Sequence, residues 1–317
     1  MAALVFLGVT GIASAPAQTY PAKSIRLVVP FPAGGNADLY ARPLALKLGE
    51  LLGQRVVVEN RPGAGGTIGG ELVAKAPADG YTLILGTTST FGIGPSLYAN
   101  LPYDPVRDFD PVLLTSMAQN MLIVHPSVPA RSVPQLVTLA RGHPDKLSYA
   151  SAGVGTSSHV AGELFKSLTR TRIVHVPYKG TSIAVLDLLS GYVDVMFDSV
   201  STALPQVSAG KLRALAVTGR KRLARLPELP TVAEGGVPGY DVSAWTGIIA
   251  PAQTPREVIA RLNAELNRVL QSSDVRRIWE EQGAEPGGGT PEHFALHIRD
   301  ELAKWRKVVR EANIRPN

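Results

Sequence analysis

Short apolar, β-branched runs alternate with amphipathic stretches along most of this chain. Ile25–Val29 leads through a glycine turn into a helical stripe at Leu44, Leu48 and Leu51. Val56–Val58 is followed by Gly63–Gly70 and a short helix with Leu72 and Val73, and Leu83–Leu85 is the third run. Leu147–Ala150, Ile173–Val176, Val193–Phe197 and Leu212–Val217 repeat the pattern, each followed by a turn or helix signal. Near-continuous apolar strands separated by helices are strands buried on both faces. The pattern therefore predicts an α/β fold of mostly parallel sheets flanked by helices and joined by right-handed crossovers.

At roughly 100–200 residues per domain, the 317 residues suit two domains. Two proline-rich segments break the alternation. Leu101–Val112 carries Pro102, Pro105 and Pro111 and runs on toward His125-Pro126; Lys221–Tyr240 carries Pro227, Pro230 and Pro238. Both read as crossings between domains. The expected division is a discontinuous first lobe, 18–121 plus 236–317, and a second lobe, 122–235. The C-terminal part is helical. Thr254-Pro255 reads as an N-cap with proline at the first helical position, leading into Val258, Leu262, Leu266 and Leu270. Thr290-Pro291 opens a last helix with Phe294, Ile298, Leu302, Trp305 and Val309 on one stripe.

The N-terminus is apolar and uncharged up to Thr19, with small residues in A-x-A order at Ala13–Ala15 and Ala15–Ala17. This reads as a signal peptide over 1–17, so the mature protein is expected to be exported. No Lys or Arg precedes the apolar stretch, which puts the expected true start upstream of Met1. Zero cysteine rules out disulfides, thiolate metal sites and cysteine nucleophiles. A net charge of +6 keeps anionic partners open. The basic residues are scattered apart from Arg220-Lys221-Arg222 and Arg225, so nucleic acid is not expected as a partner.

Five strands end in loops rich in Gly, Ser, Thr or Asn that run into helices. They are Phe31–Asp38, Gly86–Thr90, Ser151–His159, Pro177–Ser182 and Phe197–Ser201. In a parallel sheet these share the carboxyl edge, where ligands bind. Glycine admits close backbone approach, hydroxyls add donors, and helix N-termini favour anions. The same residue types are ordinary turn and cap residues, and Asp38 in particular reads as a cap. A lone Lys179 reads as solvated.

Catalytic signatures are missing. Gly63–Gly69 fails the dinucleotide spacing because Ile68 holds the third glycine position, and no phosphate-binding G-x-x-x-x-G-K-[ST] or G-x-S-x-G elbow occurs. His293 and His297 have metal-ligand spacing on the last helix but no third ligand, and read as structural. Neither a metal nor a cofactor is expected.

Several strings resemble one family. Among them are Pro32–Asp38, Val57–Gly66, Ala76–Leu83, Leu101–Pro105, Tyr149–Gly153, Gly155–His159, His175–Gly180, Gly210–Thr218 and Pro230–Glu234. In order, they resemble the Bug receptors, the TctC-type substrate-binding proteins of tripartite tricarboxylate transporters. The resemblance implies a two-lobed periplasmic-binding-protein fold of the type II flytrap kind, without catalysis, located in the periplasm. It implies capture of a small carboxylate (an organic acid, an acidic amino acid or an aromatic acid) for membrane permease subunits, by a monomer. Carried over residue by residue, it places Phe31, Ala33, Gly34, Thr87, Thr88 and Ser89 on one wall. Gly155, Thr156, Ser157 and Ser158 would lie opposite, with Tyr178 and Asp198 lining the pocket. The chain departs from the family at Asn36, often Gly or Thr, and at Ser199, often Asn; both bear on ligand choice. A ligand-sensing receptor for a signalling system is the alternative role. An enzyme of the same architecture acting on an anionic metabolite is disfavoured by the missing motifs.

Overall fold

The computed structural model describes residues 20–98, 100–311 and 314; the signal-peptide reading lies outside them. The first half contains β1 (Ile25–Val29), α1 (Asn36–Leu52), β2 (Val56–Asn60), α2 (Thr67–Ala74) and β3 (Thr82–Thr87). A π-helical turn, Thr88–Ile93, then runs into α3 (Gly94–Leu97). Next come β4 (Phe109–Val124), α4 (Val133–Gly142), β5 (Ser148–Ser151), α5 (Ser157–Thr169), β6 (Val174–Pro177) and α6 (Thr181–Leu189). The remainder is β7 (Val195–Ser199), α7 (Val200–Ser208), β8 (Arg213–Val217), β9 (Ser243–Pro251), α8 (Arg256–Gln271), α9 (Ser273–Glu281), β10 (Ala284–Pro286) and α10 (Pro291–Glu311).

The chain forms two α/β lobes. In the first, β1 pairs in parallel with β2 and β3; in the second, β5 pairs in parallel with β6 and β7. These strands are the apolar runs read from the sequence. The sequence reading did not anticipate β4, β9 and β10. β9 joins β3 antiparallel, and β4 lies antiparallel to β9 and β10 at its start and to β7 and β8 at its end. One strand of 16 residues thus belongs to both sheets.

The middle of each sheet is covered on both faces, which is why its inner strands are largely apolar, while the edge strands β2 and β6 are half-exposed. On β1, Ile25, Leu27 and Val29 face the core under α1, α8 and α9, while Val28 faces Phe91, Tyr103 and Phe294. The α8 stripe Val258, Leu262, Leu266 and Leu270 is buried as its spacing requires. Each such leucine contributes about 1.5–3 kcal/mol by leaving water. α8 starts one residue later than read: Pro255 is its cap, and Thr254 spends its hydroxyl on the Pro251 carbonyl at 2.7 Å. The α10 stripe divides between two cores. Phe294, Ile298 and Leu302 pack with Trp245, whereas Trp305, Val308 and Val309 pack with Val160 and Phe165 of α5.

Candidate functional site

The carboxyl ends of the parallel strands set the site loops on one edge of each sheet. The two sets touch. A Cβ on Gly155, in the β5–α5 loop, would stand 3.0 Å from Leu97 Cδ1 of α3. Gly155 also has φ of +80°, so this position needs glycine for its backbone as well as for the approach.

In the first lobe, Phe31, Ala33 and Gly34 lie in the β1–α1 loop. Asp38, three residues into α1, gathers that loop. Its carboxylate accepts the Gly34 N–H at 2.9 Å, Arg42 Nε at 2.7 Å and Asn60 Nδ2 at 3.0 Å. Burial pushes the Asp38 carboxyl up, but these donors outweigh it and hold the group below its usual range. Asn60 also donates to the Phe31 carbonyl at 3.0 Å. Asp38 is thus a holder of the loop and not the cap that its sequence position suggested, since Gly35 is the N-cap of α1, and Asn60 is a second loop holder that sequence reasoning missed. Its only signal was its place at the end of β2.

The segment Thr87–Thr90 at the end of β3 carries four hydroxyls, and three of them are engaged within the protein. Thr88 is tied to β9: its Oγ1 accepts the Trp245 N–H at 2.6 Å and donates to the Trp245 carbonyl at 3.4 Å. Thr87 caps the π-helical turn by accepting the Thr90 N–H at 3.2 Å. Ser89 is half-buried, and among the described residues no hydrogen bond engages its hydroxyl. Behind this turn, Trp245 Nε1 and Trp305 Nε1 both donate to Glu301 Oε2, at 3.1 and 2.8 Å, and Lys304 pairs with the other oxygen. α10 thereby braces the turn that presents Ser89.

The second lobe repeats this division. Thr156 is the N-cap of α5, accepting the His159 N–H at 3.4 Å and donating to the Gly153 carbonyl at 2.6 Å. Ser158 is buried, accepts the Ala152 N–H at 3.0 Å and meets Thr156 Oγ1 at 3.0 Å. The hydroxyls of Thr156 and Ser158 are therefore spent inside the loop. Ser157 between them is half-buried, with its hydroxyl engaged by no described residue. The backbone N–H groups of Ser157 and Ser158 open α5 and have no helical acceptor. Together these make an anion-accepting corner.

Tyr178 turns to its own lobe. Its hydroxyl donates to Asp187 Oδ2 on α6 at 2.7 Å, and burial followed by Asp187 pushes the phenol up to about 12. Its carbonyl faces Gly153, where a Cβ would stand 3.2 Å away. Asp198 is the penultimate residue of β7, almost fully buried, with the Thr202 hydroxyl and the Ser199 N–H as its donors. Burial raises it to about 6.

Beneath the β5–α5 loop, Tyr149, His175 and His159 form a stack. Ring centroids are 4.7 Å apart for Tyr149–His175 and 4.2 Å for His159–His175. His175 Nε2 meets Ser151 Oγ at 2.7 Å, and His159 Nδ1 accepts the Gly155 N–H at 3.1 Å. Glu163 brings a carboxylate oxygen within 4.8 Å of both rings, the spacing of a metal cluster. The geometry does not suit one. The imidazole planes lie 17° apart, so their in-plane lone pairs run side by side instead of converging on one ion. Glu163 Oε1 already accepts Tyr149 at 2.6 Å and Lys166 at 2.7 Å. His297 of the His293/His297 pair packs on Trp245 and Phe294. Two surface grooves of about 620 and 800 Å³, one beside Tyr98 and Arg306 and one beside Gln135 and Arg213, contain none of these loops.

A family model described as tripartite tricarboxylate transporter family receptor, TctC, matches residues 40–314. Protein BugT of Bordetella pertussis is 39% identical over 309 residues, 97% of this chain and 95% of BugT. The structure of Rhodopseudomonas palustris Rpa4515 with adipate superposes with a TM-score of 0.85 at 41% identity, covering 94% of this chain and all of that one. MatC of the same species, with bound malate, gives 0.81 at 35% identity, covering 92% of this chain and all of MatC.

Proposed function

Because the chain belongs to the tripartite tricarboxylate transporter receptor family, we propose that it captures a small carboxylate between its lobes and presents it to membrane permease subunits. The family is one of substrate-binding receptors, and its members are periplasmic binding proteins. The observation that carries the reading is the matched pair of corners. Each lobe offers one serine hydroxyl that its own loop does not use, Ser89 in the first and Ser157 in the second. Each serine sits at the start of a helical turn, and the Gly155–Leu97 contact sets the β5–α5 loop against the helix that follows the Ser89 turn.

The ligand class follows from the donors. They are neutral hydroxyls and backbone N–H groups, which suit a carboxylate, and relatives hold adipate and malate. The surface charge of +6 is not needed for such a site. The lobes divide at 18–121 plus 236–317 and 122–235. On binding, they close by bending where the chain crosses between them. Export through residues 1–17 completes the reading. The test is a thermal-shift screen with adipate, malate and aromatic acids. A ligand that binds only the folded chain raises its melting temperature. If no carboxylate shifts it, the reading fails.

A further inference from the structure

The β5–α5 loop rests on a ring that has to be neutral. A main-chain N–H only donates, so the 3.1 Å contact from Gly155 N to His159 Nδ1 fixes a lone pair on Nδ1 and the ring proton on Nε2. His159 holds the region at two further points. Its own N–H donates to Thr156 Oγ1 at 3.4 Å, and its carbonyl accepts the Tyr149 hydroxyl at 3.3 Å. The titratable groups facing it are Glu163 and Lys166 from α5, Tyr149 from β5 and His175 from β6. Glu163 Oε1 already accepts Tyr149 and Lys166, and a second ring proton would sit on Nδ1, where the Gly155 N–H stands.

We infer that His159 is a positioning residue for the β5–α5 loop, and that the loop keeps its ligand-accepting shape only while His159 is neutral, so that capture excludes a proton. An imidazolium carries N–H on both nitrogens. At Nδ1 it would set a donor against the Gly155 donor, and the loop would have to swing away. Gly155 packs on Leu97, so that movement also disturbs the contact between the lobes. Burial, with Lys166 nearby, holds His159 below the ordinary histidine range despite Glu163. Burial, then His159 and Lys166, hold His175 down to about 3. The stack is thus neutral at neutral pH and loses the loop on acidification. This inference rests on the proposed carboxylate capture and concerns how that same site is regulated.

The test uses the full mature chain with adipate as probe, titrated calorimetrically over falling pH, beside His159→Asn. Asparagine places Oδ1 about where Nδ1 stands and does not titrate. The wild type is expected to lose about tenfold in affinity per pH unit once His159 protonates. His159→Asn should lack that component, and the difference between the two profiles cancels the titration of adipate itself. Identical profiles overturn the inference. A second arm needs no ligand. Nitrogen NMR of the histidines should show the Nε2–H tautomer for His159 at neutral pH, and Gly155 amide protection should fall in step with His159 protonation. An Nδ1–H tautomer, or protection unchanged through that protonation, overturns the inference even if His159→Asn does not fold. Failure of adipate and malate to bind at neutral pH would instead count against the proposed function, and the second arm would still decide this one.

Discussion

Thr218 and Asn120 hold each other by two hydrogen bonds. The Asn120 N–H donates to Thr218 Oγ1 at 2.9 Å, and the Thr218 N–H donates to the Asn120 carbonyl at 2.9 Å. The same hydroxyl donates to the Val242 carbonyl at 2.7 Å, and the Val242 N–H returns to the Thr218 carbonyl at 2.8 Å. Thr218, fully buried, therefore ties β4 to the stretch entering β9, the two routes between the lobes.

Thr218→Val keeps the shape and removes this tie. It leaves the Asn120 N–H and the Val242 carbonyl each without one partner in a dry place. A buried backbone group so stranded costs about 1–3 kcal/mol. Urea unfolding should show a loss of that order, and adipate affinity should change along with it. Unchanged stability would mean that water replaces the hydroxyl.

Ser157 and Thr156 should separate binding from folding. Ser157→Ala removes a hydroxyl that no described residue uses, so stability should hold. Adipate affinity should drop by about three- to tenfold, the worth of one hydrogen bond. Thr156→Ala removes the α5 N-cap and should cost about 1 kcal/mol of stability. Calorimetry and thermal melts on both variants check the split, and equal effects in both assays would refute it.

Asp198 should be a site of stored instability above pH 6. Its carboxyl titrates near 6 in the folded chain but near 3.8 as an ordinary aspartate. A raised acid favours the folded state while protonated, so stability is lost as pH rises from about 4 to 6 and stays lost above. Asp198→Asn can accept the Ser199 N–H and donate to Thr202 Oγ1, which itself turns to the Ser199 carbonyl. At pH 7 it should stabilise by up to about 3 kcal/mol, because each tenfold change in proton affinity between folded and unfolded chain is worth about 1.4 kcal/mol. That gain should vanish toward pH 4. Melting curves at both pH values decide it.

Glu301→Leu strands two buried indole N–H groups, those of Trp245 and Trp305. It also leaves Lys304 without its carboxylate. At about 1–3 kcal/mol for each stranded donor, the variant should be among the least stable single substitutions in the first lobe. Chemical unfolding measures this, and a loss under about 1 kcal/mol would contradict the bracing role of α10.

Seven strands were legible in the sequence because each contains a short apolar, β-branched run, largely buried in β1, β3 and β7 and half-exposed in the edge strands β2 and β6. β4 was not, for a physical reason. Pro111 lies inside it, and proline argues against a strand. The strand tolerates it because the register with β9 shifts between Pro111 and Leu113, an irregularity where a missing N–H costs little. In the site, the loops were legible and the roles within them were not. Thr156, Ser157 and Ser158 are interchangeable as letters, since capping and anion binding draw on the same hydroxyls. Only the positions of the Gly153 carbonyl and the Ala152 N–H separate the spent ones from the free one. His159 showed no more than a place at the end of a candidate loop and in a family string. Its partner is a backbone N–H, which has no letter of its own.

The shared strand β4 has a consequence for anyone who would dissect this molecule. A cut at any boundary between the lobes passes through it or leaves it whole in one half. The half without it keeps bare strand edges, those of β9 and β10 or of β7 and β8, with their main-chain donors and acceptors open to any passing chain. Separately expressed lobes should therefore clump and not dissolve. A working miniature of this receptor would have to carry the whole of β4 and mask whichever flank of it has lost its neighbours.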